Sequence, residues 1–418
     1  MLVLAWAGVA GAQPLSAFLD ASVQGNVDGR VSATEAARAS ASFGQAWGAL
    51  LPALSANGGW THNQYDAQIS LPQSDGTTKT ITIVPKDQLD ATLKAELPLI
   101  DATKWAQVSA ASAARDAAEQ RVGATRASVQ RQVVAAFYGW VAARQTLESA
   151  RRSLAVSEAQ VEFRRSRQAA GVGSELDLTR ASAEVERNHQ LVAAAGALLA
   201  NRARTLETLT GLAPKEAPAA VADDGHPPPD LAQLESRLGL LPSVAAAESD
   251  ATAAGRTQLA ATLALVPTVN AQFTQRFTNA TGFQNASAQA SGGVTFSWRL
   301  DLVGVNALRV QAANQDLAVL NAERARRAAA DQLHADWQNL EAALIKAKAA
   351  GAQVTAARRA TELTAERNGA GVATQLDVIQ AERDLFAAEV SQVEAAAELA
   401  TARAQLNLSA GLPLEATP

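Results

Sequence analysis

Hydrophobic and polar residues alternate in four stretches of the chain, with the period of two that a β-strand with one apolar face requires. The four stretches are residues 54–60, 89–99, 269–277 and 294–300. They occur in two pairs, and a polar loop separates the members of each pair, at about residues 66–80 and 278–285. This pattern predicts two β-hairpins, each with one apolar face.

The sequence after each predicted hairpin has the spacing of long helices. Proline is absent from residues 99–213 and 268–412. In the first region a large residue recurs at every seventh position, with a small residue three positions later. In the second region large residues occur at the corresponding seven-residue positions. This spacing predicts helices that pack closely as coiled coils. The large residues are Val133, Trp140, Leu147, Leu154 and Val161, then Leu333, Leu340 and Val354; the small ones are Ala136, Ala143, Ala150 and Ser157.

An internal duplication relates the two halves of the chain. Residues 101–212 correspond to residues 301–412 at a constant offset of 200 positions. The clearest match joins residues 170–178, Ala-Gly-Val-Gly-Ser-Glu-Leu-Asp-Leu, to residues 370–378, Ala-Gly-Val-Ala-Thr-Gln-Leu-Asp-Val. A duplication of this length indicates two copies of one supersecondary unit. Each copy is predicted to run as helix, β-hairpin, very long helix, glycine turn and shorter helix.

The matching segments have the composition of a turn between two helices. Gly171 and Gly371 suit the positive φ angle that follows a helix C-terminus. The hydroxyl residue three positions after each glycine and the aspartate three positions further on have the spacing of a capping box at the start of the next helix. The pairs are Ser174 with Asp177 and Thr374 with Asp377. The repetition indicates that the two aspartates do more than cap helices.

The remaining segments follow from breaks in these patterns. A helix is predicted over residues 15–50, up to Pro52, and a proline-rich connector with one short helix at 231–238 follows the first copy. The predicted segments are N-terminal helices at 13–50, hairpins at 51–100 and 267–302, helical hairpins at 101–212 (helices 103–169 and 175–210) and 303–412, a connector at 213–242, a helix at 243–266 and a tail at 413–418.

The N-terminal residues resemble the end of a secretory signal peptide. Residues 1–12 are apolar and finish in Ala10-Gly11-Ala12, a small-x-small cleavage pattern before Gln13. The positive charge that usually precedes the apolar run is missing. We therefore predict a signal peptide remnant, with an ordinary buried N-terminal segment as the alternative.

Composition excludes several classes of function. The net charge of −5 without a long basic run does not favour nucleic-acid binding. The absence of cysteine excludes disulfides and thiolate metal sites. The four histidines, His62, His189, His226 and His334, have no metal-ligand spacing, and the chain has no P-loop. We therefore predict neither an enzyme nor a cofactor. With 4% aromatic residues and one methionine, the chain suits long helices rather than a large globular core.

The half-apolar hairpins indicate a membrane β-barrel. Four strands are too few to close a barrel of useful bore, and an open sheet edge is not tolerated in lipid. The chain must therefore associate with other copies if its strands enter a membrane. The long helices follow the strands directly at Asp101 and Asp301, so they would continue the same tube out of the membrane.

This plan resembles the outer-membrane efflux protein (TolC) family. The resemblance rests on the duplicated hairpin-plus-helix order, on the paired apices, and on Leu51-Pro52 and Val266-Pro267 before the first strand of each hairpin. It implies a mainly α fold with a membrane β-barrel, assembled as a homotrimeric α/β barrel tube between outer-membrane lipid and the periplasm. The partners it implies are a periplasmic adaptor protein and an inner-membrane pump of the RND or ABC type.

The resemblance also implies roles for residues at the two apices. Asp177 and Asp377 match acids at the periplasmic tip that surround the channel axis. Gln380 stands where many members carry a second acid, and Ala373 where some carry an arginine that holds the tip shut. Arg180 or Arg367 is the predicted substitute for that arginine. The segments that match adaptor-contacting tips are Gly171, Val172, Gly173 and Ser174, and Gly371, Val372, Ala373 and Thr374.

The function implied is a passive exit duct of a tripartite efflux or type I secretion system, gated at its periplasmic tip. One alternative is the periplasmic adaptor, which also carries a helical hairpin but only one copy, inserted in a lipoyl-like β-domain. A second alternative is a coiled-coil scaffold, which leaves the apolar faces at Phe273 and Phe296 unexplained.

Overall fold

A computed structural model describes residues 13–74, 76–216, 218, 225–284 and 286–414. The predicted signal peptide at residues 1–12 and residues 415–418 of the predicted tail lie outside the described residues. The helices are α1 (Leu15–Gly25), α2 (Val27–Gly48), α3 (Ala102–Ala169), α4 (Glu175–Thr210), α5 (Leu231–Glu235), α6 (Pro242–Leu263), α7 (Leu302–Gly369) and α8 (Gln375–Ser409). The strands are β1 (Ala53–His62), β2 (Ala67–Pro72), β3 (Thr78–Val84), β4 (Asp87–Ile100), β5 (Thr268–Thr278) and β6 (Ala288–Ser297).

The chain divides into two compact units. The first, which we call the helical unit, takes in the described residues up to Thr34, residues 120–246 and the residues from Glu323 onward. The second, which we call the sheet unit, takes in residues 35–119 and 247–322 and contains all six described strands.

The sheet unit contains a four-stranded antiparallel sheet with the strand order β1-β4-β5-β6. The pairs β1–β4 and β5–β6 are the two predicted hairpins, and β4 pairs with β5 to join them. The outer strands of this sheet are β1 and β6, and each therefore has one edge without a partner strand among the described residues.

Opposite residues of antiparallel strands share a face, so the register assigns each side chain to one side of the sheet. One face is apolar except for Gln275 and, at the end of the β1–β4 pair, His62 and Asp87, and its large side chains are exposed: Phe273 is 52% and Phe296 is 67% exposed. The other face is polar and carries an ion pair of 2.6 Å between Arg276 and Asp90. The apolar face contains Leu54, Trp60, Leu89, Leu93, Phe273, Phe277, Val294 and Phe296.

Two details of the predicted hairpins are wrong. The loop predicted at 66–80 contains a separate two-stranded hairpin, β2–β3, in which Ile69 pairs with Ile81. The β-branched run from Thr78 to Val84 favours a strand despite its polar residues. The run predicted at 294–300 ends early, because β6 stops at Ser297; Trp298 lies beyond it and donates its indole N–H to the Leu265 carbonyl at 3.1 Å.

The predicted helix over residues 15–50 is two helices, α1 and α2, separated at Asn26. Asn26 is buried; its Oδ1 accepts the backbone N–H groups of Asp28 and Gly29 at 2.9 and 3.2 Å, and its Nδ2 donates to the Leu209 carbonyl at 3.1 Å. The preceding Gly25 lies so close to α4 that a Cβ atom would meet the Thr210 oxygen at 2.1 Å. The contact with α4 therefore breaks the helix at Asn26, although the local sequence pattern is that of a continuous helix.

The connector helix is also shorter than predicted. Helix α5 ends at Glu235, and residues 238–240 form one 3₁₀ turn. Among the described helices, none combines the length and the apolar composition needed to cross a membrane.

The core of the helical unit follows the predicted seven-residue spacing. Val133, Trp140 and Leu147 are buried on α3, and Leu333, Leu340 and Val354 are buried on α7, whereas Leu154 and Val161 are half-buried. Phe18 of α1 packs against Phe137 and Trp140 with ring centroids 5.7 and 5.9 Å apart. An ion pair of 2.5 Å between Arg131 and the buried Asp336 joins α3 to α7. The line of small residues is buried throughout: Ala136, Ala143, Ala150 and Ser157.

Replacing Ala143 by Leu tests whether the small residues allow the close packing. Ala143 is 2% exposed, so the added atoms must displace neighbours, and we expect a loss of about 1–3 kcal/mol in the free energy of unfolding. Ala155→Leu, at an exposed position of the same helix, is the control. Chemical unfolding followed by circular dichroism measures both variants. Equal stability of the two would mean that the small residues do not determine the packing.

Candidate functional site at the helical apices

The two predicted helix turns lie together in the helical unit. We call residues 170–174 the first apex and residues 370–374 the second apex. Residues of both apices line one cleft of about 360 Å³, which we call the apex cleft. The duplicated segments, which are 200 residues apart in sequence, are therefore neighbours in the fold.

Both apices end the preceding helix in the same way. Gly171 and Gly371 have φ angles of 74° and 78°, as predicted. Val172 N–H donates to the Arg167 carbonyl at 3.0 Å and Gly171 N–H to the Gln168 carbonyl at 2.9 Å. The second apex repeats the two bonds at 2.8 and 3.1 Å, to the carbonyls of residues 367 and 368. These are Schellman motifs, which satisfy the last carbonyls of α3 and α7.

Gly173 is required for a different reason. A Cβ atom there would lie 2.6 Å from the Gln168 nitrogen and 2.9 Å from the Arg167 carbonyl carbon. The first apex therefore folds back against the end of α3 more tightly than an alanine allows, although the second apex has Ala373 at the corresponding position.

The two helices that follow the apices start differently. Thr374 and Asp377 form the predicted capping box: Asp377 N–H donates to Thr374 Oγ1 at 3.2 Å and Thr374 N–H to Asp377 Oδ2 at 2.7 Å. The hydroxyl and the backbone N–H of Thr374 hold the pKa of Asp377 below its ordinary value. The box predicted for Ser174 and Asp177 is wrong, because the Ser174 side chain makes no capping bond.

The Asp177 carboxylate lines the apex cleft together with three arginines instead. Burial lowers the pKa of the Arg164 guanidinium; the negative charge of Asp177 opposes this shift, and the positive charge of Arg167 adds to it. Arg164 Nη2 donates to Asn368 Oδ1 at 2.6 Å, and Asn368 Nδ2 donates to the Ala373 carbonyl at 2.8 Å. A chain of hydrogen bonds thus connects α3 to the second apex.

The predicted gate residues are only partly brought together. Asp177 and Arg180 line the apex cleft, whereas Asp377 and Gln380 are not among its lining residues. Gln380 is exposed and donates to Asp384 Oδ1 at 2.9 Å, one turn further along α8. Of the predicted adaptor-contact residues, Val172 and Val372 are 67% and 78% exposed, which leaves an apolar side chain unpartnered at each apex of the chain.

A second group of polar residues joins the two helical hairpins near the apices. Glu184 of α4 is 6% exposed and pairs with Arg383 of α8 at 2.5 Å and with Arg187 at 2.7 Å. Gln160 of α3 donates to the Glu382 carboxylate of α8. Burial, with the charge of Glu184 as a smaller cause, raises the pKa of Glu382 to about 7.

Sequence reasoning missed Arg164, Asn368 and Glu382. The duplication did not reveal them, because residue 364 is threonine where residue 164 is arginine, and residue 168 is glutamine where residue 368 is asparagine. The contacts that join the two copies use residues at which the copies differ. A search restricted to the repeated residues therefore finds the apices but not the links between them.

Comparison with models of known protein families identifies one family. A family model described as outer membrane efflux protein matches residues 19–212 and 234–412. No curated protein sequence matches the chain.

Solved structures share the fold over nearly the whole chain. The outer-membrane channel OprN is 23% identical, with 96% of this chain and 90% of that chain covered and a TM-score of 0.77. The Campylobacter jejuni outer membrane channel CmeC is 15% identical, with 100% and 92% covered and a TM-score of 0.80. The Neisseria gonorrhoeae outer membrane channel MtrE, in its open state, is 19% identical, with 96% and 89% covered and a TM-score of 0.76.

The Glu382 carboxyl generates a prediction about pH. Its folded-state pKa, about 7, lies above the ordinary value of 4.5 that the unfolded chain has. The folded state therefore binds the proton more tightly, so the associated stability is fully present below the unfolded pKa and is lost as the pH rises through the folded one. We expect the melting temperature to fall between about pH 5 and about pH 8, and Glu382→Gln to reduce that fall.

Glu394→Gln is the matched control, since Glu394 is an exposed carboxyl on the same helix. Melting is followed by circular dichroism at both pH values for the unmutated chain and the two variants. If Glu382→Gln and Glu394→Gln show the same pH dependence as the unmutated chain, the partly buried Glu382 carboxyl does not hold its proton as described.

Proposed function

Because the chain belongs to the outer membrane efflux protein family, we propose that it is the outer-membrane exit duct of a tripartite efflux or type I secretion system. In this function the protein is a passive conduit: its sheet crosses the outer membrane of a Gram-negative bacterium, and its helices extend into the periplasm. The family consists of transport proteins, so the role required of this chain is to line a pore.

The observation that carries the proposal is the division of the four-stranded sheet into two faces. The apolar face exposes Trp60, Phe273 and Phe296, and leaving such a surface in water is unfavourable. The polar face carries charged and hydroxyl side chains, among them the Arg276–Asp90 pair. A sheet with these faces matches a barrel wall, with lipid outside and a water-filled lumen inside.

The edges of the sheet support a homotrimer. Strands β1 and β6 each have an unpaired edge among the described residues, and unpaired backbone groups in hydrocarbon cost several kcal/mol each. Pairing β6 of one copy with β1 of the next satisfies both edges, and a closed ring of copies leaves none unpaired. The family resemblance implies that the ring contains three copies.

The apices are the proposed periplasmic tip. We assign Asp177, Asp377, Arg180 and Gln380 to the gate, and the residues of the two apices to adaptor contact. The exposed Val172 and Val372 support the second assignment, since solvated apolar side chains at a helix turn suit a protein partner. The partners are a periplasmic adaptor protein and an inner-membrane pump of the RND or ABC type.

The two alternative functions fit less well. A periplasmic adaptor has one helical hairpin, whereas this chain has two related ones, α3–α4 and α7–α8. A coiled-coil scaffold has no use for a sheet whose apolar face is exposed along all four strands.

The unpaired edges of β1 and β6 lead us to expect a trimer in detergent. Size-exclusion chromatography with light scattering, corrected for bound detergent, should give three times the chain mass of 43.3 kDa. Far-ultraviolet circular dichroism verifies that the strands are folded in the same sample. A monodisperse monomer with an intact β-sheet signal would contradict the channel.

The gate assignment predicts a change in ion selectivity. Combining Asp177→Asn with Asp377→Asn keeps the size and an acceptor oxygen at each position but removes two negative charges per chain from the tip. Cation selectivity and block by divalent ions should both weaken in single-channel recordings from planar bilayers.

Asp331→Asn is the control, because Asp331 is an exposed carboxyl of α7 that lies outside both apices and is not among the residues lining the apex cleft. Unchanged selectivity and block in the double variant, with the trimer intact, would mean that the two aspartates act only at the starts of α4 and α8.

A further inference from the structure

The apex cleft has an excess of positive charge. Its lining residues include three arginines, Arg164, Arg167 and Arg180, and one carboxylate, Asp177; three positive charges and one negative charge give the lining a formal charge of +2. Among the described residues, no carboxylate lies within salt-bridge distance of any of the three guanidinium groups. This contrasts with Arg165 in the same helix, whose guanidinium pairs with Glu162 at 3.0 Å.

Two of the three guanidinium groups lie against the same aromatic ring. The Cζ atoms of Arg164 and Arg167 lie 5.3 and 5.9 Å from the centre of the same ring, that of Phe163. The positive charge of Arg167 contributes to the lowered pKa of Arg164, although burial contributes more. Like charges repel each other, and an anion near both groups would reduce that repulsion.

Arg164 also has an unused hydrogen-bond donor. Its Nη2 is engaged by Asn368, but its Nε is buried without a partner. A buried donor without an acceptor costs about 1–3 kcal/mol, and more where the group is charged.

The start of α4 adds to the positive potential. Ser174 and Asp177 line the cleft, and the Ser174 side chain does not cap the first N–H groups of the 36-residue helix. Uncapped N–H groups and the helix dipole both favour an anion at this end of a helix.

We propose that the apex cleft binds a small dissolved oxyanion with two negative charges, of which hydrogen phosphate is the example. The formal charge of such an ion matches that of the lining, and its oxygens can accept from guanidinium groups that line the cleft. Arg164 and Arg167 lie on α3 and Arg180 on α4, while Asn368 and residues of the second apex also line the cleft. The bound ion joins the two apices and favours the arrangement in which they are close. The proposal is independent of the proposed function, since it concerns one chain.

Binding is measured with inorganic phosphate on the full-length protein in detergent. Isothermal titration calorimetry at constant ionic strength, with chloride as the balancing anion, should give a saturable heat for the unmutated protein. Arg167→Gln and Arg180→Gln should each weaken phosphate affinity by at least about tenfold, because each removes a charge-assisted hydrogen bond.

Arg165→Gln is the matched control and should bind phosphate like the unmutated protein, since Arg165 is exposed and pairs with Glu162. Melting in chloride alone verifies that each variant is folded. If one of the two cleft variants does not fold, the other still tests the site. Phosphate stabilises many proteins by exclusion from their surfaces, so a rise in melting temperature counts only where the cleft variants lose it and the control keeps it. Absence of saturable heat in the unmutated protein, or equal affinity in the cleft variants and the control, would overturn the proposal.

Discussion

A strand edge cannot lie unpaired in the hydrocarbon of a membrane, because its backbone N–H and C=O groups find no other partners there. This constraint determines most of what the sheet unit requires of its surroundings. Four strands expose one apolar face and end in two open edges, β1 and β6. Lipid satisfies the apolar face, and only further strands satisfy the edges. In the proposed exit duct the functional unit is therefore an assembly, and the pore belongs to that assembly rather than to the single chain.

The duplication gives each chain two related helical hairpins. The contacts that join these hairpins use residues at which the two copies differ. Both apices use the same Schellman geometry, but only the second has a capping box. Asp377 is thereby held by its own turn, whereas Asp177 lines the apex cleft together with Arg164. The links between the helical hairpins, Arg164 with Asn368 and Glu184 with Arg383, join positions that are not equivalent in the two copies.

The sequence was sufficient to predict elements with a strict period. Strand alternation located β1, β4, β5 and the last residues of β6, from Val294 to Ser297, and the seven-residue spacing identified buried residues such as Val133 and Ala143. It failed where a distant contact overrides local preference. The break at Asn26 depends on the Leu209 carbonyl, and the uncapped start of α4 became apparent only from the geometry at Ser174. The arginines of the apex cleft lie on two different helices, and charge patterning along one helix does not show that they converge.

The central claim is that the two faces of the sheet contact lipid and water. Because the chain has no cysteine, single-cysteine variants can carry a spin label at chosen positions of β5 without other changes. Phe273→Cys and Thr274→Cys place the label on opposite faces of the same strand. In a reconstituted bilayer, the label at position 273 should collide mainly with dissolved oxygen, and the label at position 274 mainly with a water-soluble nickel complex. Equal accessibility of both positions to the nickel complex would contradict the account.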